Sequence, residues 1–563
     1  MDRRLFLTML AGLMGACASP KGLLEPDTGK DAGPEGDTVS GTRIREGNNV
    51  YGTILDEEGK PVRNVPVTDG FRFVRSDSNG VYQLKADPRS TFVYYSLPAG
   101  FAIAQDAGSH LPAFHQRIDP TAVNRRDFVL RRLADASAAF SFAVLGDIHI
   151  RDAETAARFR STAMPAIGRY FRDNASRGPV FGISLGDIIN NAKDPETYAM
   201  ARGALGSAEY ADGQYLPFFT VIGNHDHDSR MGDAANAGAD GYDRGTERRY
   251  AECFGPTCYS FNVGKVHFVG VDNYISRKGP TSSTTALASQ GATGLTDEIC
   301  NWLVKDLSMV EDKADRMVVV LQHCHVRGFS DIPHREDMLA ALASFHSAYI
   351  FSGHAHLCET YKYKVLTAGG RPVMERIHGV PMGNFWYSRY NPDDSPAGFY
   401  VYRVNGNEFS DWEFRCVHNP EDRMRVYDSN DVYDRESDWS HQYAWRKEAL
   451  FAEGYFLLAH IYDGNEDWEV SLEHDGRSEK MTFANKRIPD YCVNCHLAND
   501  GVAGIRTSWK YHWDSSENWW YIKLDRPASQ LTGWKVVAKA KFPGSGETRS
   551  YSCDRITRKL GED

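Results

Sequence analysis

Five short blocks of acidic, imidazole and amide residues punctuate the middle of this 563-residue chain: Gly146-Asp147-Ile148-His149, Gly186-Asp187, Gly223-Asn224-His225-Asp226, His323, and Gly353-His354-Ala355-His356. Such mixed oxygen and nitrogen donors suit zinc, iron, manganese or nickel better than calcium, and the scarcity of cysteine among them argues against a closed structural zinc site. Asp147 and His149 lie two apart, so in an extended segment both side chains leave on the same side and can meet one cation; His354 and His356 repeat the geometry. Two such pairs, with a carboxylate able to bridge through its two oxygens, meet the needs of two divalent ions roughly 3.5 to 4 Å apart.

Something rigid must bring these blocks together, and each of them ends an apolar, β-rich run. Phe140 to Leu145, Val180 to Leu185, Phe218 to Ile222, Met317 to Leu321 and Ala348 to Phe351 read as buried strands. Between them Ile299, Trp302, Leu303 and Leu307 recur at helical spacing, as do Met338, Leu339, Leu342 and Phe345, so the region is α/β. A hairpin, Tyr259 to Val263 then Val266 to Val271, adds an antiparallel element. In open α/β sheets ligands bind outside the carboxyl ends of the strands, where loops converge over a fixed platform. Glycine ahead of the polar residue allows the sharp turn this requires.

Read in order, D-x-H, G-D, G-N-H-D, a lone His after an apolar strand and G-H-x-H resemble the calcineurin-like metallophosphoesterase family, over Asp147 to His356. The resemblance implies a central β-sandwich flanked by helices (αββα) and two divalent or trivalent ions, zinc, iron, manganese or similar. It also implies that Asp147, His149 and His356 hold the first metal, that Asn224, His323 and His354 hold the second, and that Asp187 bridges them. His225 would face the substrate phosphate, stabilising charge or protonating the leaving oxygen, with Asp226 as its orienting partner. The implied reaction is hydrolysis of a phosphomonoester or phosphodiester by a metal-activated hydroxide, in line with the leaving group. Two departures narrow the resemblance. Asn190 stands where purple acid phosphatases place an iron-binding tyrosine, which argues against a purple enzyme; and His325 follows His323, which is favoured as ligand because it directly ends the apolar run. Asp226-His227-Asp228 extends the third block, and its last two residues are expected in a solvated loop. The reading from another class is a catalytically inactive cell-surface binding protein with a vestigial metal site.

The formal charge of −11 gives no long-range attraction for nucleic acid, and none is expected as a partner; the expected substrate is a small-molecule, lipid or glycan phosphate ester. Arg3-Arg4-Leu5-Phe6-Leu7 resembles the twin-arginine export signal, and Met14-Gly15-Ala16-Cys17 resembles a lipoprotein cleavage site, so residues 1–17 are expected to address the chain out of the cytoplasm and Cys17 to anchor it to a membrane. Residues 18–47 read as a solvated tether. From 48 to 133, short alternating strands between turn signals such as Thr68-Asp69-Gly70 and Asp77-Ser78-Asn79-Gly80 resemble an immunoglobulin-like or carboxypeptidase-regulatory-like β-sandwich. The catalytic domain is expected over 139–396 and a β-rich domain over 397–563, with that boundary anywhere from about 395 to 440.

Export permits disulfides, and Cys253 with Cys258, across a Phe-Gly-Pro-Thr turn, is one candidate bridge, with many of the cysteines expected as buried thiols. Cys492-Val493-Asn494-Cys495-His496 matches the haem-attachment pattern, but its aromatic, strand-like surroundings favour a strand with two packed cysteines. Trp439, Trp445, Trp468, Trp509, Trp513, Trp519 and Trp520 are expected mainly in β-domain core rather than on a stacking surface.

Overall fold

A computed structural model of the chain describes residues 38–134, 139–174, 178–192, 194–232, 239–277, 291–328, 331–383, 385–429, 454–488, 490, 492–493, 516–542, 546 and 548–558. The export signal, Cys17, Cys495, His496, Trp439, Trp445, Trp509 and Trp513 lie outside them. No helix of the described residues is long and apolar enough to cross a membrane. The chain forms two compact units, one of residues up to Val93 with Gln116–Val129, the other of Tyr94–His115 with Leu130 onward.

In the first unit, Val50–Asp56 pairs antiparallel with Val81–Leu84 and parallel with Asn124–Arg125, and Pro66–Thr68 forms a hairpin with Phe73–Arg75. Aspartate makes the turns, as the turn signals predict. Asp69 Oδ1 accepts the N–H groups of Phe71 and Arg72 at 3.0 and 2.7 Å, and Asp77 Oδ1 those of Asn79 and Val81 at 2.8 and 2.9 Å. The segment Tyr94–His115 packs within the second unit. There Tyr94 Oη donates to Cys258 O at 2.8 Å, Asn262 N–H to Leu97 O at 2.8 Å, and His110 stacks on Tyr215 with ring centroids 3.9 Å apart.

The second unit is built on two sheets. We label their strands β1 (Ala139–Leu145), β2 (Val180–Ser184), β3 (Phe218–Thr220), β4 (Tyr259–Val263), β5 (Val266–Gly270), β6 (Met317–Leu321), β7 (Ser347–Ser352), β8 (Glu359–Leu366), β9 (Pro372–Ile377), β10 (Gly398–Asn405) and β11 (Glu408–Cys416). The first sheet has the order β3-β2-β1-β10-β11 and the second β4-β5-β6-β7-β9-β8. The helices are α1 (Ala153–Ser161), α2 (Ala163–Asp173), α3 (Pro195–Leu205), α4 (Ala239–Phe254), α5 (Asp297–Ser308) and α6 (Arg335–Leu342). Parallel pairing of β1 with β2, β2 with β3, β5 with β6, and β6 with β7 puts the carboxyl ends of these strands at one edge.

Successive residues of β1 serve opposite faces. Ala143 and Leu145 join the core that includes Ala156, Phe159, Ile167 and Phe171 of α1 and α2, whereas Phe142 turns to the other sheet. Phe142 stacks on Phe181 at 5.0 Å and Tyr402 at 5.4 Å and meets Phe268 edge-on at 5.3 Å; Phe219 stacks on Phe261 at 3.7 Å. An aromatic layer therefore locks the two sheets face to face. The chain is α/β, as expected, with helices packed on a double sheet.

Strands β10 and β11, within the range of about 395 to 440 expected for the domain boundary, complete the first sheet: β10 pairs antiparallel with β1 over Ala139–Val144 and supplies Tyr402 to the aromatic layer. Beyond Cys416 come two antiparallel four-stranded sheets, Met424–Asp428 with Tyr455–Ile461, Trp519–Leu524 and Thr482–Phe483, and Arg477–Lys480 with Glu469–His474, Lys535–Lys541 and Thr548–Cys553. Trp468, Trp519 and Trp520 are buried. Cys492 and Val493 take helical rather than strand backbone, and Cys492 packs with Tyr427, Leu458 and Trp519. The candidate Cys253–Cys258 bridge does not form: both are thiols, and Cys253 Sγ lies 3.5 Å from the carbonyl of Tyr198 on α3.

Truncating Phe142, which is fully buried at the centre of the aromatic layer, removes contacts to both sheets. Phe142→Ala is expected to cost about 3–5 kcal/mol, read as a lower Tm in thermal denaturation, and an unchanged Tm would show that the layer does not hold the sheets together.

Candidate metal centre

The loops leaving β1 and β2 run side by side: the N–H groups of Ile148 and His149 donate to Asp187 O at 3.0 and 2.9 Å, and that of Ile150 to Ile188 O at 3.0 Å. On the second sheet Gly353 N–H donates to His323 O at 2.9 Å, tying the block after β7 to the end of β6. The backbone at this edge is strained. His149, Asp187, His354 and His356 have φ of 50°, 44°, 65° and 56°, the left-handed region that costs a non-glycine residue of order 1–3 kcal/mol. Four such residues in one cluster turn their side chains inward against their local preference.

Glycine makes the approach close enough. A Cβ on Gly223 would stand 2.2 Å from Asp187 N and 2.3 Å from Asp187 Oδ1, and one on Gly186, itself at φ +90°, would stand 2.6 Å from His323 Nδ1. Both positions therefore exclude any other side chain unless the site opens.

All seven expected ligands meet here. Asp187 Oδ2 lies between two imidazoles, 3.5 Å from His149 Nε2 and 3.4 Å from His323 Nε2. On one side Asp147 Oδ1 is 3.2 Å from His356 Nε2, which is 3.3 Å from His149 Nε2. On the other, His323 Nε2 is 2.9 Å from Asn224 Oδ1 and 3.2 Å from His354 Nδ1. His325, the competing candidate, stands further out, its ring centroid 6.3 Å from that of His354. His323 is pinned through its other nitrogen, whose proton goes to Leu185 O at 2.8 Å.

These residues fit a cation. Imidazole nitrogens face one another at 3.3 and 3.2 Å, and the buried His149 Nδ1 and Asp147 Oδ1 make no hydrogen bond among the described residues. The field says the same. Burial opposes charge on His323, yet Asp187 and Asp147 outweigh it and push the imidazole up to about 10; His356 and His323 hold Asp147 down at about 2 against burial. A site that stabilises positive charge on His323 this strongly favours a divalent ion among the same donors.

His225 and Asp226 part company. His225 N–H donates to Asp187 Oδ1 at 2.7 Å, and its Nδ1–H donates to Asn190 O at 2.8 Å, leaving Nε2 3.9 Å from Asp187 Oδ2 with the ring partly exposed. Asp226 is fully buried and accepts the N–H groups of Gly223, Ile189 and Ile188 at 2.8, 3.1 and 3.2 Å. The orienting group for His225 is thus the Asn190 carbonyl, and Asp226 shapes the loop, because in a 3-10 turn neighbouring side chains diverge. His227 and Asp228, expected in a solvated loop, are buried too: His227 Nε2 meets Asp272 Oδ2 at 3.0 Å, and Arg230 and Arg249 cover Asp228.

Three further residues contribute to the site. Asn273 accepts the N–H groups of His323 and Cys324 through Oδ1 at 3.1 and 2.9 Å; a polar residue just past β5 follows the same strand-end rule as the five blocks, so this one was readable. Phe385 lies over His149 and His356, with centroids 4.7 and 5.0 Å away, and Cys324 groups with His323 and His354 among possible donors. Neither shows a spacing that would have marked it.

Residues 140–358 match the calcineurin-like phosphoesterase family, residues 48–133 the N-terminal region of calcineurin-like phosphoesterases and residues 375–533 their C-terminal region. The chain belongs to the calcineurin-like phosphoesterase family. It is a metal-dependent phosphoesterase. Solved structures similar to this phosphoesterase include purple acid phosphatase PPD1 from yellow lupin (Lupinus luteus) seeds, at TM-score 0.34 and 12% identity over 66% of this chain and 67% of that one. Phosphopantetheinyl hydrolase from Mycobacterium tuberculosis gives 0.26 and 13% over 44% and 92%, and zinc-complexed Vps29 from Entamoeba histolytica 0.19 and 14% over 48% and 89%. No curated protein matches the phosphoesterase.

The Gly223 contact can be tested directly. Gly223→Ala is expected to force Asp187 aside at a cost of about 1–3 kcal/mol and to lower the metal content of the purified protein, read by plasma mass spectrometry. Gly203→Ala, where nothing lies within 4 Å of the added carbon, serves as the control; equal metal contents would show that the cradle is loose.

Proposed function

We propose that this phosphoesterase holds two metal ions, one among Asp147, His149 and His356 and one among Asn224, His323 and His354, with Asp187 shared, and hydrolyses a phosphomonoester or phosphodiester outside the cytoplasm. The observation that carries the reading is the position of Asp187 Oδ2, nearly equidistant from His149 and His323 at 3.5 and 3.4 Å, with one donor set on each side. Bound there, such ions supply Lewis acidity toward water and the phosphoryl oxygens. Zinc, iron and manganese all suit these donors.

The protein's own groups do the rest. With its Nδ1–H committed to Asn190 O, His225 presents Nε2 toward the centre, where it stabilises negative charge on the ester and, when protonated, delivers its proton to the leaving oxygen. Phe385 shields the imidazoles of His149 and His356 on one side, and next to it Tyr387, 37% exposed, stacks with Arg151 at 5.1 Å. An aromatic and cationic rim of this kind supports an ester with an apolar face on its leaving group, such as a lipid or glycan phosphate. The twin-arginine-like and lipobox-like residues before Cys17 support export and a lipid anchor.

Asp187→Ala is expected to abolish hydrolysis of aryl phosphates and to deplete both ions, because it removes the shared ligand. His225→Ala should keep full metal content while kcat falls roughly 10²–10⁴-fold, the usual contribution of a positioned acid. Full metal occupancy with no turnover in the unmodified protein, across mono- and diester libraries, would instead make this an inert binding protein.

A further inference from the structure

A second cluster of metal-binding side chains lies away from the hydrolytic centre, where α5 meets α6. Asp297 and Cys300 stand one turn apart at the start of α5, and His334 and Asp337 one turn apart at the start of α6. The ligand atoms of Cys300, His334 and Asp337 all lie within 4.8 Å of one another. His334 Nδ1 is 2.8 Å from Asp337 Oδ2, and its Nε2 is 2.7 Å from Asp297 Oδ1. Cys300 is buried at 6% exposure, while the His334 and Asp337 side chains reach solvent at 27% and 52%.

We propose that Cys300, His334 and Asp337 bind a zinc-class divalent cation at a site separate from the hydrolytic centre. Thiolate, imidazole and carboxylate form a donor set that zinc accepts in tetrahedral geometry, with water completing it. Asp297 supplies what such a site needs beyond its ligands, since a carboxylate taking the far ring proton fixes the tautomer and raises the basicity of the ligating nitrogen. As bare surface ion pairs, His334 with Asp297 and Asp337 would contribute little. On binding, Cys300 and His334 lose their ligand-position protons to solvent and no other bond changes.

The cation would clip α5 to α6 next to a segment that leads to the hydrolytic centre. Leu295 N–H donates to Pro333 O at 3.2 Å, Gly294 N–H to Asn273 O at 3.0 Å, and the Asn273 side chain grips the backbone of His323 and Cys324. The role is structural, and phosphate-ester turnover is not expected to depend on it.

Cobalt(II) loaded into the full-length protein after chelation tests this, because a thiolate ligand gives a near-ultraviolet charge-transfer band that oxygen and nitrogen ligands do not. The band is expected in the unmodified protein and in Cys324→Ser, and is expected to vanish in Cys300→Ser and weaken in Asp337→Asn. Zinc content should fall by one ion per chain in Cys300→Ser, with hydrolysis unchanged and the zinc-dependent rise in Tm reduced. Asp187→Ala should keep the band, so a failure of the hydrolytic reading would leave this result standing. A band that survives Cys300→Ser, or depends on Cys324 alone, or equal zinc contents in the two proteins, would overturn the proposal.

Discussion

Asp187 is the point on which the site turns. Its carboxylate sits between the imidazoles of His149 and His323, its backbone carbonyl takes two N–H groups from the neighbouring loop, and its own φ lies in the left-handed region. Bringing this many donors together is unfavourable in itself: lone pairs face lone pairs, burial removes their water, and four residues adopt strained backbone. A fold pays such a cost where a cation returns it. The glycines at 186 and 223 belong to the same constraint, because any side chain there would occupy the space that Asp187 and His323 need.

That concentration of strain requires a platform that does not yield. The two sheets provide it through a layer of stacked phenylalanine and tyrosine rings between them, and the helices cover the outer face of the first sheet. Because the ligand blocks follow parallel strands of both sheets, the stacking that fixes one sheet on the other also fixes one half of the ligand set on the other half. The C-terminal part of the chain contributes to this platform, since β10 and β11 extend the first sheet and Tyr402 enters the aromatic layer.

Much of this was readable from local pattern. The five buried strands, the hairpin and both helices with clear apolar spacing stand where the sequence places them, within a residue or two at most ends. What local pattern left open has identifiable causes. Tyr94–His115 reads like more of the N-terminal module because its strands and turns are locally similar, yet its contacts go to Tyr215, Cys258 and Asn262, far along the chain. Strands β10 and β11 look like the aromatic strands beyond them, and only pairing with β1 assigns them. Asp226 adjoins His225 in sequence, but a tight turn separates their side chains and gives the orienting role to a main-chain carbonyl, an atom every residue has and no motif can flag.

Residue type, order and period by themselves determined the chemistry of this protein, because metal affinity follows from donor atoms and a strand announces itself by its neighbours within a few positions. They marked seven candidate donors and the edge at which those side chains gather. Tertiary structure alone decided which donors gather around Asp187, what turns His225, what covers the imidazoles, and that Cys300 and His334 meet. Those are contacts between segments distant along the chain, set by how the sheets and helices pack, and no local spacing encodes them.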